Sequence, residues 1–267
     1  MGTPSINKKE TGGLMNMNRI EKSQETYKKL FGDGVPAAYA THPEFQDILS
    51  RFIFGEIFDQ GTLDDKQREL ITLVVLATNQ TLPQLKAHTR TALNVGLTPT
   101  EIQEAIYQCA PYLGFPKTLN TISEMNEVFK ERNVALPLES QKRVEEDNRF
   151  DKGLSIQKEI FGDIIEKNRE NAPSNQKHIQ DYLSAFCFGD FYTRGGLDLK
   201  TRELLTLCIL SALGGADSQV KAHVQGNINV GNNKETMITA LTHCLPYMGF
   251  PRTLNALSCV NEIIPEK

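Results

Sequence analysis

The chain has 267 residues, 39% of them hydrophobic, which is enough for one large domain or two modest ones. Its 29 basic and 33 acidic residues give a net charge of -4, which excludes a polycationic surface for nucleic acid or a basic segment for a membrane surface. Five cysteines without a C-x-x-C pair predict free thiols in a reducing compartment, so we expect a cytoplasmic protein with a small-molecule or protein partner.

The N-terminal segment is polar, is rich in glycine and lysine, and lacks the apolar stretch of a signal peptide. We interpret residues 1–19 as a disordered leader, with the fold starting near Ile20. The longest apolar stretches, such as LITLVVLA at 70–77, are far shorter than the roughly 20 residues that cross a bilayer. The sequence therefore predicts a protein that does not enter a membrane.

After the leader the chain contains one unit twice, at an offset of 134 residues that becomes 135 after a single inserted residue. We predict two tandem domains, 20–133 and 150–264, joined by a linker at 134–149 whose charged residues are compatible with a helix. The matching blocks are FGEIF (54–58) with FGDFY (188–192), RELITL (68–73) with RELLTL (202–207), KAH (86–88) with KAH (221–223), NVG (94–96) with NVG (229–231), and QCAPYLGFPKTLN (108–120) with HCLPYMGFPRTLN (243–255).

Almost every segment of a repeat shows helical periodicity. Asp64 is a candidate N-cap for a helix with apolar residues such as Leu70 and Leu73 at helical spacing. Residues 98–101, Thr-Pro-Thr-Glu, have the form of a capping box, and Gly114 suits a helix end. No stretch alternates with period two, so we predict an all-α fold with about five or six helices in each repeat.

Two histidines recur at the same repeat position, His88 and His223, each 21 residues before a matching cysteine, Cys109 or Cys244. Each histidine falls on one face of a predicted helix, where a buried structural imidazole and a functional one are equally good interpretations. An ordinary imidazole pKa suits proton transfer near neutral pH, so both are candidate catalytic residues. The cysteines also fall on apolar faces, where a structural role is the commoner one.

Charged side chains recur at the start of an otherwise apolar helix. A glutamate is favourable near a helix N-terminus but an arginine is not, so the guanidinium needs a carboxylate, either from the protein or from a substrate. Acidic residues recur after the phenylalanine and glycine of the FGEIF and FGDFY blocks, and a salt bridge among these groups is the structural alternative. The candidates for substrate binding are Arg68, Arg202, Glu56 and Asp190, and the candidates for catalysis are Glu69 and Glu203.

Common cofactor motifs are missing from the sequence. It contains no glycine-rich phosphate loop, no dinucleotide fingerprint, no H-E-x-x-H and no Cys/His set with zinc spacing. We therefore expect any chemistry to run without a bound cofactor or metal.

The blocks SRFIFGEIF, QRELITL, LKAHTRTALNVGLTPTEIQEAIYQC and the Tyr-x-Gly-Phe-Pro tail together resemble the carboxymuconolactone decarboxylase family, which also contains the alkyl-hydroperoxidase D type enzymes. The resemblance covers nearly the whole chain after the leader, once per repeat. It implies two tandem all-helical bundles of the alkyl-hydroperoxidase D type and assembly into a homo-oligomer. A trimer of tandem chains would then imitate a hexamer, with sites near the subunit interfaces.

The resemblance also implies a choice between two chemistries. The hydroperoxidase branch has a C-x-x-C pair before the histidine, and neither repeat has cysteines there, so neither can cycle a disulfide at that place. Both repeats match the decarboxylase branch, which has the histidine and a cysteine before Tyr-x-Gly-x-Pro. Glu69 and Glu203 depart from that branch, where a small hydroxyl residue usually follows the arginine.

A cofactor-free lyase acting on a small acidic lactone or related carboxylate is the function that the resemblance favours. The carbonyl of such a lactone can accept electrons, so the protein has to hold carboxylates and protonate a dienolate. A thiol-dependent peroxidase using a single cysteine and a non-catalytic oligomeric scaffold are the alternatives. The implied roles are proton donation by His88 or His223, orientation of the imidazole by Glu69 or Glu203, and carboxylate binding by Arg68, Arg202 and, in the first repeat, Arg51.

Overall fold

A computed structural model of the chain describes residues 18–34 and 37–266. Residues 1–17 of the predicted leader lie outside the described residues. Within the described ranges the regular elements are all helical, which confirms the predicted all-α class. None of the helices described there is long and apolar enough to span a membrane.

The helices follow the same order in the two repeats, except that the second has an extra helix at 164–171 and one continuous helix at 234–248 where the first has two. The first contains α1 (Arg19–Phe31), α2 (Pro43–Gly55), α3 (Asp65–Asn79), α4 (Leu82–Asn94), α5 (Pro99–Gln108), the single turn α6 (Ala110–Leu113) and α7 (Phe115–Glu131). The second contains α8 (Arg149–Phe161), α9 (Ile164–Asn171), α10 (Lys177–Tyr182), which continues as a π-helix (Leu183–Tyr192), α11 (Leu199–Leu213), α12 (Asp217–Asn229), α13 (Lys234–Met248) and α14 (Phe250–Ile263).

Local sequence signals place the helix ends where they were predicted. Asp64 caps α3 in a reciprocal capping box with Gln67, and Thr98 caps α5 in another with Glu101. Gly114 separates α6 from α7 with a φ of 79°, a conformation that favours glycine. The charged stretch 138–148 is not helical, although its charge pattern is compatible with a helix. There the carbonyl of Gln141 accepts a hydrogen bond from the Gly195 amide, which replaces a helical partner.

The described chain divides after Asp59 into a small N-terminal unit and a larger unit that starts at Gln60. In the small unit α1 and α2 cross at Gly55, where a Cβ atom would lie only 2.1 Å from the Arg19 carbonyl oxygen. The Glu56 carboxylate pairs with the Arg19 guanidinium beside this crossing. The glycine and the acidic residue of FGEIF therefore serve helix packing.

The second repeat uses the same crossing within the larger unit. A Cβ atom on Gly189 would lie 2.3 Å from the Arg149 carbonyl oxygen, so α8 approaches the π-helix at this glycine. The two carboxylate oxygens of Asp190 accept from Nε and Nη2 of Arg149. FGDFY is thus the counterpart of FGEIF in structure as well as in sequence.

One hydrophobic core in the larger unit contains residues of both repeats. The apolar helices α3 and α11 pack against each other, and Val74 and Leu207 have no exposed surface. The two repeats therefore share this core, which holds residues 68–78 of α3 and 202–212 of α11 away from water.

Arg202, at the start of α11, is fully buried in this shared core. It makes an ion pair with Glu104 of the first repeat, with Nη2 3.0 Å from Oε2, and its Nη1 donates to Gln108 Oε1 at 3.0 Å. A buried arginine is tolerated because a carboxylate and carbonyl oxygens accept its protons. This salt bridge is structural, and its carboxylate comes from Glu104, which is not among the recurring acidic residues of the prediction.

Arg68 has a different partner, because the position of Gln108 is taken by His243 in the second repeat. Arg68 Nη1 lies 3.4 Å from His243 Nδ1, and a guanidinium can only donate, so Nδ1 accepts and the ring proton is on Nε2. Nε2 then donates to the Arg68 carbonyl oxygen at 3.0 Å. Burial and, next, the charge of Arg68 lower the pKa of His243 to about 3, so this imidazole stays neutral in the folded protein.

The lowered pKa of His243 predicts a specific loss of stability in acid. The unfolded chain takes up a proton at this residue below about pH 6.5, whereas the folded chain does so only near pH 3. The free energy of unfolding should therefore fall through this window by up to about 1.4 kcal/mol per pH unit. His243→Gln, which copies the first repeat, should make that fall less steep in denaturant titrations at several pH values.

His178→Gln is the matched control, because His178 is exposed on α10. It should leave the pH dependence unchanged. An equally steep fall in the His243→Gln protein would contradict the assignment of acid sensitivity to this imidazole.

Candidate functional site

The second repeat brings the predicted histidine and glutamate into direct contact. His223 on α12 places Nδ1 2.9 Å from Oε2 of Glu203 on α11, and the carboxylate has no exposed surface. A carboxylate accepts, so Nδ1 carries the proton and Nε2 is on the side of the ring away from Glu203. His88 and Glu69 form the same contact at 2.9 Å in the first repeat.

A tyrosine satisfies the second oxygen of the Glu203 carboxylate. The Tyr192 hydroxyl donates to Glu203 Oε1 at 2.7 Å and lies 2.8 Å from Thr206 Oγ1. It is also 3.1 Å from the hydroxyl of Tyr112, which belongs to the Pro-Tyr-x-Gly-Phe-Pro segment of the first repeat. The site around His223 is therefore built from both repeats.

The hydrogen bonds in this network have a preferred direction. Tyr192 has one proton and gives it to the charged carboxylate, so its oxygen accepts from Tyr112 or Thr206. Burial raises the pKa of both tyrosines well above the usual range, which keeps them protonated as donors. The Cys187 thiol lies 3.7 Å from the Tyr112 hydroxyl, and burial raises its pKa to about 12.

His223, Tyr112 and Cys187 line a cavity of about 540 Å³ in the larger unit. Its volume lies within the roughly 300–1,000 Å³ that is typical of small-molecule sites. The ring of Phe161 packs edge-on against His223, with centroids 5.2 Å apart. The other lining residues are Pro111, Gln157, Ile165, Ile179, Tyr182, Leu183, Phe186, Phe188, Leu210, Gln219 and Ala222.

The corresponding network in the first repeat lacks one member, because Phe58 stands at the repeat position of Tyr192. Tyr247 corresponds to Tyr112, and its ring lies 5.8 Å from that of His88. Among the described residues, none hydrogen-bonds the buried Glu69 Oε1 or the buried Tyr247 hydroxyl. These are the counterparts of the two atoms that Tyr192 joins in the second repeat, so the two centres are chemically different.

The predicted cysteines lie in the shared core and are not among the residues that line this cavity. Burial raises the pKa of Cys109 and Cys244, and Cys109 Sγ contacts the Ala105 carbonyl oxygen at 3.5 Å. All five cysteines of the chain are free and buried. The thiol next to the candidate site is Cys187, which the repeat comparison did not single out because the first repeat has Ile53 there.

The predicted substrate-binding charges also have other partners in the structure. Arg202 and Arg68 lie at the contact between the repeats, and Arg51 pairs with Asp47 one turn earlier on α2. Glu56 and Asp190 hold helix crossings, as described above. These contacts favour structural roles for all five residues and do not support the predicted substrate contacts.

The sequence analysis also missed two tyrosines of the site. Tyr112 could have been found, because its motif recurs with Tyr247, but only the glycine of that motif entered the prediction, as a helix end. Tyr192 gave no such signal, since its counterpart is Phe58. Within the described ranges, no group of three or more His, Cys, Asp or Glu residues is placed to hold a metal ion.

Tyr192→Phe tests the contribution of this network to stability. The variant leaves Glu203 Oε1 buried without its donor, which should lower the free energy of unfolding by about 1–3 kcal/mol. Equilibrium denaturation measures the change. Tyr182→Phe is the control, because Tyr182 is 63% exposed and should change stability by less than about 0.5 kcal/mol. Equal effects of the two variants would contradict a special role for the Tyr192 hydroxyl.

Comparisons with known proteins agree with the tandem arrangement. The chain is 28% identical over 122 residues to 4-carboxymuconolactone decarboxylase of Acinetobacter baylyi, covering 45% of this chain and 90% of that protein. It is 32% identical over 98 residues to nitrosuccinic acid decarboxylase of Metarhizium robertsii, covering 33% of this chain and 68% of the relative. The model of the carboxymuconolactone decarboxylase family matches residues 43–127 and 177–262, more than half of the sequence. The chain therefore belongs to the carboxymuconolactone decarboxylase family, with two family segments in tandem.

Proposed function

We propose that the protein is a carboxy-lyase that works without a bound cofactor, and that its reaction centre is the His223 site of the second repeat. The observation that carries this proposal is the imidazole held on a buried carboxylate at the wall of a small-molecule cavity. Two relatives named as decarboxylases support the reaction class. The complete network around Glu203 favours the second repeat over the first.

The substrate is a carboxylate whose α,β-unsaturated carbonyl group can take up an electron pair. The bond to the carboxylate carbon breaks, carbon dioxide leaves, and the electron pair moves through the C=C bond to the carbonyl oxygen. Protonated His223 then gives its Nε2 proton to carbon, and the neutral imidazole recovers a proton from water. Glu203 holds the opposite nitrogen and keeps the ring oriented during both steps.

Tyr112 would stabilise the oxygen on which the negative charge develops. Tyr112 is one of the lining residues and its hydroxyl lies 3.1 Å from that of Tyr192, so we infer that it can turn its proton toward a bound substrate. When Tyr112 turns its proton toward the substrate, Thr206 still donates to the Tyr192 hydroxyl oxygen at 2.8 Å. A donor that is already positioned lowers the energy of a developing oxyanion more than water can.

The peroxidase alternative has weaker support at this site. Burial raises the pKa of Cys109, Cys244 and Cys187, so the thiolate that would attack a peroxide is disfavoured at each of them. A non-catalytic scaffold would have no need for a buried ion pair beside a cavity, since a buried charge raises the energy of the fold unless it is fully paired.

Single histidine variants test the proposal and the choice of repeat. His223→Asn should lower the rate of carbon dioxide release by at least about 100-fold, because general acid catalysis contributes roughly 10²–10⁴-fold. His88→Asn is the matched control in the other repeat and should retain most of the activity. A panel of unsaturated carboxylates that includes 4-carboxymuconolactone should be assayed by absorbance and by carbon dioxide release.

Absence of release across the panel from the unchanged protein would overturn the lyase proposal. Equal losses in the two variants would contradict the assignment to the second repeat. Circular dichroism and denaturation of each variant separate loss of chemistry from loss of fold.

We also propose that copies of the chain associate through apolar side chains that recur on the surface. Phe115 and Leu119 on α7 are 58% and 61% exposed, and their counterparts Phe250 and Leu254 on α14 are 61% and 58% exposed. The same patch on both repeats supplies two equivalent contacts, as a closed ring of tandem chains requires. The second copy of this chain is therefore the expected partner.

Light scattering tests this association. The unchanged protein should have a mass that is a multiple of 29.9 kDa, three being expected for a trimer of tandem chains. Phe115→Asp combined with Phe250→Asp should lower that mass, whereas Lys117→Glu, at an exposed neighbouring position, should not. A single-chain mass for the unchanged protein would contradict the proposal.

A further inference from the structure

The cavity beside His223 has an unusual charge for a site that would bind acids. Its fifteen lining residues include no lysine, arginine, aspartate or glutamate. His223 is the one lining group that can become a cation. Electrostatic binding of a carboxylate in this cavity therefore depends on a single imidazole.

Three of the arginines in the second half of the chain are committed to carboxylates of the protein. Arg149 binds Asp190, and both Arg194 and Arg202 bind Glu104, which has no exposed surface. Drawing one of these guanidinium groups into the cavity would leave a partly or fully buried carboxylate without its partner, which is strongly unfavourable. A second substrate carboxylate in this cavity would be desolvated with no cation among the other lining residues to receive it.

The wall of the cavity instead favours an apolar body. Phe161, Phe186 and Phe188 contribute aromatic rings, and Leu183, Leu210 and Ile165 contribute aliphatic surface. Burial of such a body is favourable in proportion to the apolar area that it removes from water. The volume of about 540 Å³ leaves room for a ring or chain attached to the reacting carboxylate.

We propose that the substrate of the second repeat is an apolar monocarboxylate: one carboxylate at His223, on a carbon that a C=C bond joins to a carbonyl group, with a hydrophobic body among the phenylalanines. This assignment of substrate class rests on the proposed lyase function. The proposed substrate class differs from that of nitrosuccinic acid, a dicarboxylic acid that the name of the Metarhizium relative contains. The apolar wall would also favour carbon dioxide release, because the concentrated charge of a carboxylate disperses as the bond breaks.

A pair of ligands that differ by one carboxylate tests the substrate class without relying on turnover. Cinnamate and 4-carboxycinnamate share one body, and isothermal titration calorimetry on the full chain measures the affinity for each. We expect cinnamate to bind at least about tenfold more tightly, a difference of about 1.4 kcal/mol. Equal or tighter binding of 4-carboxycinnamate to the unchanged protein would overturn the proposal.

A cation introduced at the rim of the cavity should move the preference toward the dicarboxylate. Leu183→Arg is suitable because Leu183 is 40% exposed, and Ile179→Arg, at a position that is 53% exposed, is a second choice if the first variant does not fold. The preference for cinnamate should fall at least about tenfold in a folded variant. Gln225→Arg, on the exposed side of α12, adds the same charge outside the cavity and should leave the preference unchanged.

An equal loss of the preference for cinnamate in Gln225→Arg and in Leu183→Arg would contradict a role for charge inside the cavity.

The binding result is separable from the lyase proposal. If cinnamate binds preferentially but the substrate panel releases no carbon dioxide, the lyase proposal fails and the ligand class stands. If a dicarboxylate is decarboxylated and is preferred in binding, the lyase proposal stands and the substrate class fails.

Discussion

The burial of carboxylates between the two repeats is the constraint on which the rest of the larger unit depends. Glu203 has no exposed surface, and a buried charge is stabilised when donors satisfy its oxygens. His223 and Tyr192 supply those donors, and Tyr192 connects the carboxylate to Tyr112 of the other repeat. Satisfying one buried charge thus orients the imidazole and joins the repeats at the wall of the cavity.

The repeats have diverged at the partners of their buried charges and not at the charges themselves. Arg68 and Arg202 are both kept, but His243 faces the first where Gln108 faces the second. Glu69 and Glu203 are both kept as well, and here the difference is the hydroxyl group of Tyr192. Such changes leave the packing of α3 and α11 in place while they change the protonation chemistry at each centre. A tandem chain can therefore use one fold for two unlike sites.

Much of the fold could be predicted because its causes are local. The caps at Asp64 and Thr98 and the glycine at position 114 act over a few residues, so a linear pattern contains them. Recurrence singled out His223 and Glu203, and the family resemblance implied their pairing, although contact between them depends on helices α11 and α12 being neighbours. The charge pattern of the linker is compatible with a helix. The structure has no helix there, because the linker backbone hydrogen-bonds to another part of the chain.

By itself, the sequence determined the helical class and the repeat and singled out the recurring histidines and glutamates, because each leaves a periodic or recurrent pattern. Only the tertiary structure decided that Arg202 forms an internal ion pair, that Cys109 is a core residue, and that Tyr112 of the first repeat belongs to the His223 site of the second. The physical reason is that these roles depend on which side chains are desolvated together. Residues about 80 to 100 positions apart in the chain share that environment, and no pattern along one repeat records it.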